Sequence, residues 1–236
     1  MNIFQRFFQS SVGKKYIMAL SGLGLFLFVV GHLLGNLQVF LGPETINSYG
    51  HFLQTTPELI WPARLGLVAL VGLHIWAAAS LTAQNRAARG PVSYSSAYTP
   101  TAASFASRTM MMSGAIIAAF VIYHILHFTV QVRAVNLTGK DFVALTDAKG
   151  RHDVYAMMIA GFRHPFVSAF YLLAMGLLCL HLSHGFGALF QSIGLKSKAW
   201  GLWIDRLGRV ASWVIFLGYA SIPVAVLLGF GREVAK

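Results

Sequence analysis

The stretch Tyr16–Pro43, YIMALSGLGLFLFVVGHLLGNLQVFLGP, runs for 28 residues without a Lys, Arg, Asp or Glu. A helix needs about 20 apolar residues to cross the hydrocarbon core of a bilayer, so this run is long enough to span once. Four more such runs follow, Leu65–Asn85, Thr109–Val132, His164–Leu195 and Val210–Gly231, of 21, 24, 32 and 22 residues. Each is expected to cross as a helix, because an isolated open strand would leave its backbone unpaired in lipid. Composition agrees: of 236 residues, 56% are apolar and only 11% charged, with a mean hydropathy of +0.65. Soluble domains carry about a quarter charged residues, so a water-soluble core is excluded. The sequence predicts an all-α polytopic membrane protein. One domain, 1–236, forms a bundle of five transmembrane helices over roughly 16–40, 62–85, 106–132, 166–190 and 208–231.

The net charge of +11 does not point to nucleic acid, because the basic residues sit in short flanks between apolar runs. The connections fall near 41–62, 86–107, 133–164 and 196–209, with Gly90-Pro91 opening the clearest linker. Five spans put the termini on opposite sides. The N-terminal side then holds ten Lys and Arg, Lys14 and Lys15 among them, against eight on the other, which favours a cytoplasmic N-terminus. The first run is too long for a signal-peptide core and has no small-residue cleavage site after it, so it is expected to remain as a helix. The single cysteine, Cys179, lies inside the fourth run and leaves no disulfide framework, cysteine-ligated cluster or covalent haem attachment.

All seven carboxylates lie outside the charge-free runs, which removes the intramembrane acids that transporters and pumps usually use. Six of the nine histidines lie inside them: His32, His74, His124, His127, His181 and His184. Buried imidazole is costly unless its nitrogens are satisfied, and six such rings on four of five helices exceed what packing needs. Helix rise sets their depths. His32 and His124 each lie about 24 Å above the N-terminal-side edge of their spans, and His74 and His181 about 14 Å. Two level pairs on different helices suit a six-coordinate haem, which takes one axial imidazole from each side. Zinc would want three or four ligands at one point. Gly31, Gly35, Gly72, Gly176 and Gly185 would let a flat porphyrin approach the backbone, although small residues also serve helix packing.

Several stretches together carry a family likeness: KKYIMALSGLGLFLFVVGHLLGNLQVF at 14–40, INSYGHFL at 46–53, RLGLVALVGLHIW at 64–76, SRTMMMSGAIIAAFVIYHILHF at 107–128 and LLCLHLSHGFGALF at 177–190. Over nearly its whole length the chain resembles the two-haem, single-anchor cytochrome b subunit of succinate dehydrogenases and fumarate reductases. The spacing of 42 between His32 and His74 matches, as does Arg108 sixteen residues before His124. The resemblance implies two stacked haem b groups, with His32 and His124 as axial ligands of the outer one and His74 and His181 of the inner one. His127 and His184 become candidates for supporting roles around the haems, and Arg108 for a propionate partner at the inner haem.

By the same resemblance the chain anchors a flavoprotein subunit and an iron–sulfur subunit, and it passes electrons to membrane quinone, menaquinone rather than ubiquinone. FAD, the Fe–S clusters and the dicarboxylate chemistry belong to those partners; this chain has no flavin fingerprint. Some relatives that reduce fumarate carry a glutamate two residues before the helix-four ligand. Here Cys179 stands there, which favours succinate oxidation. A quinone needs an apolar cleft with one or two donors. Tyr49, His51, Glu58 and Trp61 offer these near the outer haem, and the region of Ser21 and Arg108 is the alternative on the inner side. Rival readings are the cytochrome b of a quinone-linked hydrogenase or formate dehydrogenase and, from another class, a non-haem structural anchor or transporter.

Overall fold

The computed structural model describes residues 2–88 and 105–235; the expected linker at Gly90-Pro91 lies outside the described residues. Those residues hold no strand, only an isolated bridge between Thr146 and His152. A short helix α1 (Ile3–Gln9) leads into α2 (Ser11–Leu37), which tightens into a 3-10 turn over Gln38–Leu41. Next come α3 (Pro43–Thr55), α4 (Pro57–Ala88), α5 (Phe105–Arg108) and α6 (Met110–His124), the last continued by a π turn over Ile125–Thr129. The chain closes with α7 (Val154–Arg163), α8 (Pro165–Ser192) and α9 (Gly201–Leu227). Five stretches are long and apolar enough to cross a membrane: Ser11–Leu41, Pro57–Ala88, Met110–Thr129, Pro165–Ser192 and Gly201–Leu227. The fold is an all-α polytopic bundle.

The helices begin further out than the charge-free runs do. Ser10 caps α2 by accepting the Gly13 N–H, so the helix includes Lys14 and Lys15. Pro57 begins α4, and Pro165 starts α8 one residue after the cap, where a missing N–H costs nothing. The ends are sharper. Gln131 at φ 61° turns the chain out of the third span, and Gly229 at φ 111° follows the last one, a conformation suited to glycine. Lipid-facing sides are plain in the large apolar residues left uncovered. Leu20, Leu27 and Leu34 form a stripe along α2, and Val210, Trp213, Val214 and Leu217 do the same on α9. Basic residues lie over tryptophan rings near the spans' ends, Lys14 on Trp76, Arg64 on Trp61 and Arg206 on Trp203, as an interfacial belt requires.

Two of the expected loops contain helices. The 41–62 connection holds α3, and 133–164 holds α7; both lie at the end of the bundle remote from the N-terminus and pack on one another. The principal buried core is here, where Val39, Ile46, Tyr155, Met158, Ile159, Phe162, Ile222 and Val226 meet. Asn47, almost wholly buried on α3, donates to Asp153 at 3.0 Å and accepts the Tyr155 N–H at 2.9 Å. Arg151 then joins Asp147 (2.7 Å) to Glu44 (2.9 Å), and Lys149 adds a second contact to Glu44 at 2.7 Å. These bonds clamp α3 to the loop before α7 and form a cap over one end of the bundle.

The cap carries a pH dependence. Arg151, with Lys149 beside it, holds the Glu44 carboxyl well down, from 4.5 to about 2, and Arg151 holds Asp147 from 3.8 to about 2. A carboxylate whose folded value is depressed contributes stability above its unfolded value and loses it as pH falls through the folded one. The thermal midpoint of the detergent-solubilised protein is therefore expected to fall as pH drops from about 4.5 toward about 2. Arg151→Met should flatten that dependence by returning both carboxyls toward ordinary values. Equal slopes for the two proteins would show that the clamp is not its source.

Candidate functional site

The interior of the bundle is built from histidines that face one another in twos. His32 on α2 and His124 at the end of α6 have ring centroids 5.6 Å apart. His74 on α4 and His181 on α8 lie 6.3 Å apart. Two imidazoles bound through Nε2 to opposite sides of one metal ion, with metal–nitrogen bonds of about 2 Å, have centroids about 6 to 6.5 Å apart. Both pairs lie near that spacing. Among the described residues no group of three or more His, Cys, Asp or Glu converges on one point.

The second nitrogen of most of these rings is already engaged. His74 Nδ1 lies 3.2 Å from Ser21 Oγ, and His181 Nδ1 lies 3.4 Å from Ser113 Oγ. Each serine spends its own hydrogen on a helix carbonyl one turn back: Ser21 donates to Ile17 at 2.6 Å, and Ser113 to Met110 at 3.1 Å. Their oxygens are left to accept, so the histidine nitrogen facing each carries the hydrogen. The proton is thereby placed on Nδ1, which leaves the Nε2 lone pair bare, the form in which imidazole ligates a metal. His124 Nδ1 is engaged by the Tyr171 hydroxyl at 3.2 Å. His32 has no such partner among the described residues. It stacks on Phe28 at 5.2 Å, and its own carbonyl accepts from Asn36.

These residues fit a haem held by two imidazoles at each of two levels. Room is present as well: a Cβ at Gly31, Gly72, Gly176 or Gly185 would meet nothing within 4 Å. Gly35 differs, because the Tyr49 ring already fills the space over it. Two other glycines approach the rings. A Cβ on Gly22 would come within 3.2 Å of the His74 ring, and one on Gly114 within 3.5 Å of His181.

His127 is wholly buried, on the π turn that widens the helix after His124. Its Nδ1 lies 3.0 Å from the same Tyr171 hydroxyl, and its Nε2 is buried without a partner, caged by Phe128 and Phe142. His184 sits half-buried one turn beyond His181 and makes no hydrogen bond among the described residues. Arg108 ends α5, which packs against α8, and its side chain is exposed. The four residues named for quinone lie along α3 and the start of α4. Tyr49 packs on α2, His51 and Glu58 are exposed, and Trp61 lies open beneath Arg64. No hydrogen bond or ring contact joins any two of them among the described residues.

Sequence reading missed Ser113 and Tyr171 altogether, and it took Ser21 only as a quinone neighbour. Tyr171 lay within reach of the depth arithmetic: ten residues before His181 is about 15 Å along α8, close to the other histidine level. The serines needed helix rotation, which depth does not supply. No family model, curated protein or solved structure matches the chain.

Removing either serine takes from a buried histidine Nδ1 the hydroxyl oxygen beside it. Ser21→Ala and Ser113→Ala are each expected to cost about 1 kcal/mol in a denaturant titration of the detergent-solubilised protein. Because they serve different rings, the double variant should show a nearly additive loss. A neutral result for both would mean that the hydroxyls do not hold the rings.

Proposed function

We propose that the chain is the membrane anchor and electron-transfer subunit of a succinate:quinone oxidoreductase, with His32 and His124 holding one haem b and His74 and His181 a second. The observation that carries this reading is the two levels of facing imidazoles inside a five-helix membrane bundle, three of the four rings held by a hydroxyl. The family likeness of the sequence supplies the rest: a flavoprotein subunit and an iron–sulfur subunit on the cytoplasmic side, the N-terminus on that side of a bacterial inner membrane, and menaquinone as the lipid-soluble partner.

In this reading each protein group has a definite task. Bound haem supplies one-electron oxidation and reduction at two depths of the membrane. Ser21 and Ser113 hold the inner pair in the ligating tautomer, and Tyr171 does so for His124. Phe28 and Phe120, stacked on His32 and His124, exclude water and keep the outer pair in an apolar setting. Dicarboxylate chemistry stays on the flavoprotein. Cys179, buried on α8 beside the inner level, is not an acid that could carry a proton across, and this favours the succinate-oxidising direction.

A reduced-minus-oxidised spectrum with pyridine-haemochrome stoichiometry on the purified complex tests the reading. Two b haems per chain, both reduced by succinate, are expected. His74→Ala or His181→Ala should remove one haem and leave the His32/His124 group in place, with quinone reduction lost. Absence of haem from the unsubstituted complex, or both haems retained in either variant, would refute it.

A further inference from the structure

One hydroxyl stands between two histidines. Tyr171 on α8, 6% exposed, lies 3.2 Å from His124 Nδ1 and 3.0 Å from His127 Nδ1. A phenol has a single hydrogen to give, so it donates to one imidazole and accepts from the other. The two histidines therefore hold opposite tautomers. Whichever ring donates to Tyr171 keeps its Nε2 lone pair bare, and the other must carry its hydrogen on Nε2.

The surroundings decide which is which. His124 faces His32 at 5.6 Å, the spacing of two ligands of one ion. The Nε2 of His127 is enclosed, with the Phe128 ring centroid 4.0 Å and the Phe142 centroid 5.8 Å from its own ring, and no polar atom within bonding reach. Nothing could be ligated there without rebuilding that aromatic cage. We infer that Tyr171 is a positioning residue that selects His124 over His127 as the metal ligand: it accepts from His124 Nδ1–H, donates to His127 Nδ1, and so holds His127 as an unligated third histidine of the outer site. The inference rests on the two-haem reading above.

The arrangement has an electronic consequence. An Nδ1–H that donates to oxygen makes its imidazole a stronger electron donor, which favours the oxidised metal. Tyr171→Phe removes the acceptor and should raise the midpoint potential of the outer haem alone. The ring's packing on Phe120, Tyr123 and Phe162 is kept by phenylalanine, so both haems should stay bound. His127→Gln tests the other half. It takes away only the group to which Tyr171 donates, so two haems should remain and the outer midpoint should stay near that of the unsubstituted protein.

The experiment is a redox titration of the purified complex, followed by optical and electron paramagnetic resonance spectra that resolve the two haems. An upward shift of one midpoint and an altered low-spin signal for that haem in Tyr171→Phe, with the other haem unmoved, are expected. Unchanged midpoints and signals in Tyr171→Phe would overturn the inference while leaving the two-haem reading intact. Should Tyr171→Phe fail to accumulate, His127→Gln decides: loss of the outer haem there would make His127 the ligand and overturn the selection, and its retention with an unmoved midpoint supports it. No haem in the unsubstituted complex would instead remove the functional reading on which the inference stands.

Discussion

An imidazole inside a membrane has two nitrogens and no water to satisfy them, and much of this bundle follows from meeting that demand. The inner rings each give one nitrogen to a serine whose own hydrogen is already taken by a helix carbonyl. Serine on a transmembrane helix does this with little loss to the ladder, since its hydroxyl bonds a carbonyl one turn back and still has a lone pair to offer. The rings themselves meet in pairs across the interior, His32 with His124 and His74 with His181. The paired rings lie near the spacing of two imidazoles on one metal ion, which is the geometric support for the proposed reading.

The charged residues follow the opposite logic. Glu44, Asp147, Arg151 and Lys149 meet where the described structure leaves the bilayer, and Lys196 pairs with Asp205 at 2.7 Å where α8 turns into α9. Ion pairs at exposed sites add little by themselves. Those at the cap matter because buried Asn47 joins the same cluster and carries it down to the core beneath α7. The cap orders α3 and α7 over the outer histidine level, where His124, His127 and Tyr171 pack among Phe120, Phe128 and Phe162.

How much of this could be read from the chain differs by kind of information. Five spans were legible because lipid tolerates so few charges that their absence over 20 or more residues is nearly diagnostic. The meeting of His32 with His124 and of His74 with His181 was legible too, because rise per residue is almost constant along a helix and level rings on neighbouring helices can meet. Rotation about the helix axis was not, and so Ser21 and Ser113 stayed hidden. Helices α3 and α7 escaped because they are too short to span; α7 is apolar, but its ten residues pack into the core at the bundle's end rather than cross the bilayer. Their signals were local ones, Pro43 and Glu44 opening α3 and Asp153 capping α7 by accepting the Ala156 N–H.

The helix without an intramembrane histidine has its own explanation in this scheme. α9 packs along α8 and also against α2, the helices that carry His181 and His32. It approaches both at glycines: a Cβ on Gly208 would meet the Phe186 ring at 3.0 Å, and one on Gly218 would meet Leu33 at 2.9 Å. Tyr219, next to Gly218, donates to the Val29 carbonyl at 2.7 Å, one turn before His32. With no Cβ at these glycines, the Phe186 and Leu33 side chains rest directly on the α9 backbone, which lets the helices approach closely. α9 therefore acts as a strut that fixes α2 relative to α8. The gap between facing rings is decided by helix positions, and the ring centroids lie 5.6 and 6.3 Å apart. The helix without an intramembrane histidine thus braces α2 and α8, which carry one ring of each facing pair.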